Sequence, residues 1–251
     1  MPACLEVPQC LSGPLARLAS NSGAGMSPAP VSAAAPAHPL ASDTPIFRWL
    51  GTADYLATWQ RMQTFTAQRD AQTRDEIWFL EHPPVYTLGL NGQVRHLLAA
   101  NGIPVVHVDR GGQITYHGPG QLVVYPLLNL RRLQLGVRDL VIALEHTIIK
   151  TVQQWGIEAV GRRDAPGVYV DGRKLASIGL RVRRGCSYHG LAFNIDMDLS
   201  PFGGINPCGF ENLEVTQLRA LGGPGDVRQV ADRVLPQLAQ ALGLRHSASW
   251  Q

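Results

Sequence analysis

Three separated segments carry the residue types and spacings from which chemistry can be built. The first is Arg110-Gly-Gly-Gln-Ile-Thr-Tyr-His117-Gly-Pro-Gly-Gln121. Its adjacent glycines, Gly111 and Gly112, let backbone approach a ligand closely, and the second glycine cluster forces a tight turn. Around them sit Arg110, Thr115, Tyr116 and His117, a dense set of donors. The stretch matches neither a phosphate-cradling loop nor a dinucleotide fingerprint. On residue types alone, a hairpin with a glycine bulge also fits.

The second segment, Asp171-Gly-Arg-Lys174-Leu-Ala-Ser177-Ile178-Gly179, places a lysine just after a hairpin signal, where a solvated lysine is common. The third, Ser187-Tyr-His189-Gly190-Leu191-Ala192-Phe-Asn194, leads to Asn206-Pro-Cys208-Gly209. A cysteine held between proline and glycine on a constrained loop is a candidate nucleophile, because thiolate is a strong attacking group. A lone cysteine is also often inert. Cys186, after two arginines and a glycine, reads as structural.

Charge usage sharpens the second segment. Of 22 basic residues only Lys150 and Lys174 are lysine. Arginine keeps its proton in a protein, whereas a desolvated lysine can release it. A chain so poor in lysine can keep one where a removable proton matters; codon bias with two survivors is the alternative. The net charge is only +3 and charged residues make up 16%, which fits a globular chain. No apolar run is long enough to span a membrane. The four cysteines are too few and too scattered for a disulfide framework or a zinc site, so reduced, cytosolic chemistry is the expectation.

These segments must be held by regular elements. Residues 1–43 are rich in Ala, Ser and Pro, with no periodicity that buries a face, and are expected to be a disordered tail. Residues 44–245 are expected to form a single catalytic domain. Strand patterns run at Ile46–Leu50, Glu76–Leu80, Val85–Leu88, Val105–Val108, Ile114–His117, Leu122–Leu128 and Ser187–Ile195. Asp171–Gly172 joins Val168–Val170 to Leu175–Val182 as a two-residue hairpin. Helical spacing links Tyr55, Trp59, Met62 and Thr66, and then Leu140, Leu144, Ile148 and Trp155. A last helix starts at the N-cap Asp226, ends near Leu242 and is expected to bend at Pro236. Strands and helices mix without βαβ alternation, so the fold class is α/β (α+β), a mixed β-sheet flanked by helices.

Arg110–Gln121, Gly172–Gly179, His189–Asn194 and Asn206–Gly209 resemble, in this order, the signature blocks of the lipoyl(octanoyl) transferases. The resemblance extends from about Ile46 to Leu242, and the Lys174-to-Cys208 interval agrees with the family's spacing. The long tail is the one departure. The resemblance implies the fold of biotin and lipoate protein ligase catalytic domains. It implies that Cys208 accepts octanoyl from acyl carrier protein as a thioester, and that Lys174 lowers the thiol's pKa and handles protons. Arg110–His117 (Arg110, Gly111, Gly112, Gln113, Ile114, Thr115, Tyr116, His117), Ser177–Gly179 and Gly190–Ala192 would line the acyl site.

The same resemblance implies no metal, ATP or other cofactor. Its acceptors would be lipoyl domains of 2-oxoacid dehydrogenase E2 subunits and the glycine cleavage H protein. Neither nucleic acid nor membrane is expected as partner, and the enzyme is expected to be a cytoplasmic monomer. Arg181, Arg183 and Arg184 are expected near the site, steering an acidic carrier. Three rivals remain: an ATP-dependent lipoate or biotin ligase, a cysteine hydrolase pairing Cys208 with His117 or His189, and a non-catalytic acyl-binding protein.

Overall fold

A computed structural model describes residues 44–209, 213–246 and 250–251, without the side chain of Cys208. The expected tail, 1–43, lies outside the described residues. The strands are β1 (Ile46–Thr52), β2 (Glu76–Glu81), β3 (Val85–Leu88), β4 (Val105–His107), β5 (Ile114–His117), β6 (Gln121–Leu127), β7 (Val160–Gly161), β8 (Gly167–Val170), β9 (Arg173–Arg183) and β10 (Cys186–Asn194). The helices are α1 (Tyr55–Gln68), α2 (Val137–Gln153) and α3 (Val227–Ala241), and Pro236 lies inside α3. Among the described residues no helix is long and apolar enough to cross a membrane.

Local chemistry sets these boundaries. Asp54 caps α1 by accepting from the Ala57 N–H at 2.8 Å, and Asp226 caps α3 by accepting from the Gln229 N–H at 2.6 Å. The β8–β9 hairpin turns on Asp171 (φ 49°) and Gly172 (φ 78°), the left-handed pair that a two-residue turn requires. Every residue of β6 and β10 is buried, as expected of central strands covered on both faces.

Among the described residues the strands form two mixed sheets. Seven lie in the order β1-β2-β6-β10-β9-β8-β7, with β1–β2 parallel and the remaining pairs antiparallel. Three more lie in the order β4-β3-β5, again mixed. The side chains of β6 alternate between two cores. Leu122 and Val124 join Leu144, Ile148, Val234 and Leu238 beneath α2 and α3. Val123, Tyr125 and Leu127 join Met62 of α1 with Trp78 and Tyr188. A third core, around Tyr86, Leu88, Ile114 and Tyr116, belongs to the smaller sheet. The expected mixed sheet flanked by helices is therefore present, with the smaller sheet as an addition that local patterns do not reveal.

Candidate active site

A narrow cavity of about 50 Å³ is walled by β5, β9 and β10, by Val123 and Tyr125 of β6, and by Tyr55 at the start of α1. Its two ends differ. Gly112 is exposed and Gln113, Ser177, Ile178 and Gly179 are half-buried, which marks the mouth. Tyr55, His117, Tyr125 and His189 are buried and form the blind end. Of the residues that the resemblance assigns to the acyl site, Arg110, Gly112–Thr115, His117, Ser177–Gly179 and Gly190–Ala192 line this space.

Gly111 and Tyr116 do not line it. The Gly111 N–H donates to the Leu180 carbonyl at 2.9 Å, stitching the glycine loop to β9. Tyr116 sits between Thr115 and His117 on the strand, so alternation turns it away, onto Tyr86 and Phe202 in the third core.

Close packing explains the glycines. A Cβ on Gly190 would lie 2.1 Å from the Val124 carbonyl oxygen, and one on Gly179 would lie 3.1 Å from Arg110 Cδ. Arg110 is itself buried. Its Nη2 donates to the Thr87 carbonyl at 2.7 Å and to Thr87 Oγ1 at 2.8 Å, and Nη1 donates to the Gly111 carbonyl at 3.0 Å. A guanidinium suits this place because its fixed fork can serve all three acceptors.

Two histidines stand at the blind end and a third, His82, stands behind it, each oriented by its hydrogen-bond partners. His117 Nδ1–H donates to Gln121 Oε1 at 2.8 Å, leaving Nε2 to face Thr87 Oγ1 at 3.3 Å. Burial, and then His82 nearby, lower its pKa to about 3. His82 donates to the Ala53 carbonyl at 2.6 Å and accepts from the Tyr125 hydroxyl at 2.8 Å, and burial lowers its pKa to about 4. His189 donates from Nε2 to Asp109 Oδ1 at 3.0 Å. Burial lowers its pKa against the pull of Asp109.

Asp109 anchors this end. Burial alone would raise its pKa, but hydrogen bonds from His189, Tyr188 and Trp59 outweigh that and hold it below the usual carboxylate range. His189 also has φ 56°, a left-handed conformation rare for a non-glycine residue. Alternation along β10 would place its ring on the face of Leu191 and Phe193. Instead it stacks on Tyr188 at 5.2 Å and lies 6.2 Å from Tyr125. Asp109, Tyr55, Tyr125 and His82 are absent from the sequence-derived site.

Lys174 is 1% exposed, which removes the solvated-lysine alternative. Its Nζ lies 5.2 Å from the centre of the Tyr169 ring, and its stem packs on Gly167, where a Cβ would meet Cε at 2.8 Å. Its N–H donates to the Glu214 carbonyl at 2.8 Å and its carbonyl accepts from the Thr216 N–H at 2.9 Å. A chain of buried amides ties the blocks together. Gln121 donates to Asn194 Oδ1 at 2.9 Å, and Asn194 donates to the Thr216 carbonyl at 2.9 Å.

Cys208 belongs to the 3-10 turn Pro207–Gly209. That turn meets the mouth: a Cβ on Gly209 would lie 3.3 Å from Gln113 Cγ and 3.5 Å from His96 Nε2. The Asn206 N–H donates to the His96 carbonyl at 2.8 Å, so His96 is a further neighbour that the sequence did not suggest. Arg183 and Arg184 sit at the far end of β9, nine or more residues from Lys174, or about 30 Å at roughly 3.3 Å per residue. Only Arg181 approaches the cavity, two residues beyond Gly179.

The model of the lipoyl protein ligase A/B catalytic domain matches residues 54–239. An octanoyltransferase of Chromobacterium violaceum is 56% identical over 197 residues, covering 78% of this chain and 95% of that protein. Among solved structures, a bi-partite lipoate protein ligase from Thermoplasma acidophilum superposes with TM-score 0.64 at 12% identity, covering 83% of this chain and 88% of that one. A biotin protein ligase from Aquifex aeolicus gives TM-score 0.52 at 15% identity, covering 79% and 70%. The last two likenesses concern the fold alone.

Proposed function

That the chain belongs to the octanoyltransferases of the lipoyl protein ligase A/B catalytic-domain family, and so is an acyltransferase of protein lipoylation, is the premise from which we propose its mechanism. Octanoyl enters as the thioester of acyl carrier protein, passes to Cys208, and leaves on a lysine of a lipoyl domain. The acceptor proteins are the E2 subunits of 2-oxoacid dehydrogenases and the glycine cleavage H protein. The observation that carries this reading is a cavity ended by buried aromatic and histidine rings whose mouth meets the turn holding Cys208.

In the first half-reaction the Cys208 thiolate attacks the thioester carbonyl. The carrier thiolate departs and takes up a proton, and octanoyl is left on sulfur. In the second, the acceptor amine attacks the acyl-enzyme, loses a proton, and expels the Cys208 thiolate as the amide forms. One thioester and one amine become one amide and one thiol, a downhill exchange that needs no nucleotide. As the ammonium, Lys174 favours the Cys208 thiolate and gives its proton to the departing carrier thiolate; as the neutral amine so formed, it takes the proton of the attacking acceptor lysine. Backbone amides of Ser177–Gly179 or Gly190 are the candidates for holding the oxyanion. The buried end suits an alkyl chain, because burial disfavours charge on its histidines.

The test is transfer to a purified lipoyl domain from octanoyl acyl carrier protein without nucleotide, followed by acceptor mass. The expected result is one octanoyl added per acceptor by the wild type and none by Cys208→Ala. Transfer that required ATP and free octanoate would instead indicate a ligase, and release of free octanoate to water a hydrolase.

A further inference from the structure

The acyl cavity is graded along its length, and the gradation suggests how chain length is read. We propose that Tyr55, His117, Tyr125 and His189 form a rigid stop at the blind end that sets the acyl length accepted. The inference rests on the cavity holding the acyl chain, as above, and adds which residues measure it.

The distance fits a medium chain. Gln113 touches the Cys208 turn at the mouth, and His117 stands in the stop. From Ile114 to His117, β5 runs three residue steps along the cavity, about 10 Å at roughly 3.3 Å each. This is close to an extended eight-carbon acyl group with its sulfur. A twelve-carbon chain would have to displace the stop or leave its thioester outside the mouth.

The stop cannot easily step aside. Tyr55 stacks on His117 at 5.7 Å and meets His82 edge-on at 4.9 Å, while Tyr125 meets His189 edge-on at 6.2 Å. The polar atoms of the rings are tied to groups around the stop: Tyr125 to His82, His117 to Gln121, and His189 to Asp109. The left-handed backbone of His189 holds its ring on the cavity side, a conformation that persists only where the surroundings enforce it. Burial keeps these histidines neutral, so an alkyl end meets no charge on them.

Tyr55 is the residue to test, because it enters from α1 and packs on Val85 and Val108 rather than on the main β-sheet. Transfer would be measured with octanoyl, decanoyl and dodecanoyl carrier thioesters for wild type, Tyr55→Phe, Tyr55→Leu and Tyr55→Ala. The readout is the ratio of dodecanoyl to octanoyl kcat/KM, which does not depend on the folded fraction. Leucine keeps apolar packing where alanine could fail to fold. The ratio is expected to rise at least tenfold in Tyr55→Leu or Tyr55→Ala and to stay at the wild-type value in Tyr55→Phe. A ratio unchanged in all variants, beside an active wild type, would overturn the stop alone. A wild type that transfers no acyl group of any length would overturn the acyl-transfer mechanism and the stop with it.

Discussion

Alanine at Gly190 and at Gly111 should have opposite outcomes, although both glycines stand in signature segments. At Gly190 the new methyl would lie 2.1 Å from the Val124 carbonyl oxygen and 2.6 Å from Pro126 Cδ. Ordinary contact begins near 3.4 Å, so β10 and β6 must separate by about 1 Å at the centre of the larger sheet. Overpacking of this kind costs roughly 1–3 kcal/mol, and rigid backbone rather than a side-chain tip argues for the upper half. For a domain of this size that lowers Tm by about 5–10 °C. Gly190 also lines the cavity, so octanoyl kcat/KM should fall beyond the loss of folded protein. At Gly111 the nearest atom is the Leu180 carbonyl oxygen at 3.5 Å, an ordinary contact, and the change should stay within about 0.5 kcal/mol. Thermal and urea melts of both variants, with steady-state transfer, measure this. Equal melts for Gly190→Ala and wild type would refute the argument from close strand approach.

Three further outcomes are expected. Arg110→Lys cannot serve the Thr87 carbonyl, Thr87 Oγ1 and the Gly111 carbonyl together, and urea unfolding should show a loss of about 2 kcal/mol. His82 and His117 have folded pKa values near 4 and 3 against an ordinary 6.5, so the unfolded chain binds protons that the native one refuses. Stability should therefore be full above about pH 6.5 and decline as pH falls towards 4, less steeply in His117→Gln; a flat urea midpoint over that range would contradict it. Lys174→Arg keeps the charge but cannot cycle a proton, so Cys208 alkylation by iodoacetamide should persist while single-turnover transfer falls steeply. Transfer at the wild-type rate would leave Lys174 an electrostatic part only.

What the sequence revealed depended on whether the controlling physics was local. The hairpin at Asp171–Gly172, the cap at Asp226 and the strands Val85–Leu88 and Ile114–His117 follow from turn chemistry and alternation, and they appear where the patterns put them. The cavity lining followed from the resemblance, but the placing of Tyr116 did not. Strand alternation puts Ile114 on the side of Tyr116, yet Ile114 reaches the cavity, so no local rule separates the two. The burial of Lys174 was hidden, because a lysine after a turn looks solvated until residues 214–216 and Gly167 close over it. Tyr55, His82 and Tyr125 come from three distant elements, so no spacing links them. The ring of His189 escapes even alternation, since its left-handed backbone breaks the period on which that rule depends.

The central claim is that Cys208 carries the octanoyl group, and intact mass tests it most directly. Wild-type protein incubated with octanoyl acyl carrier protein, without acceptor, should gain one octanoyl mass that survives neutral buffer and is removed by hydroxylamine. Cys208→Ala should gain nothing. No adduct on the wild type, or the same hydroxylamine-labile adduct on Cys208→Ala, would contradict the account.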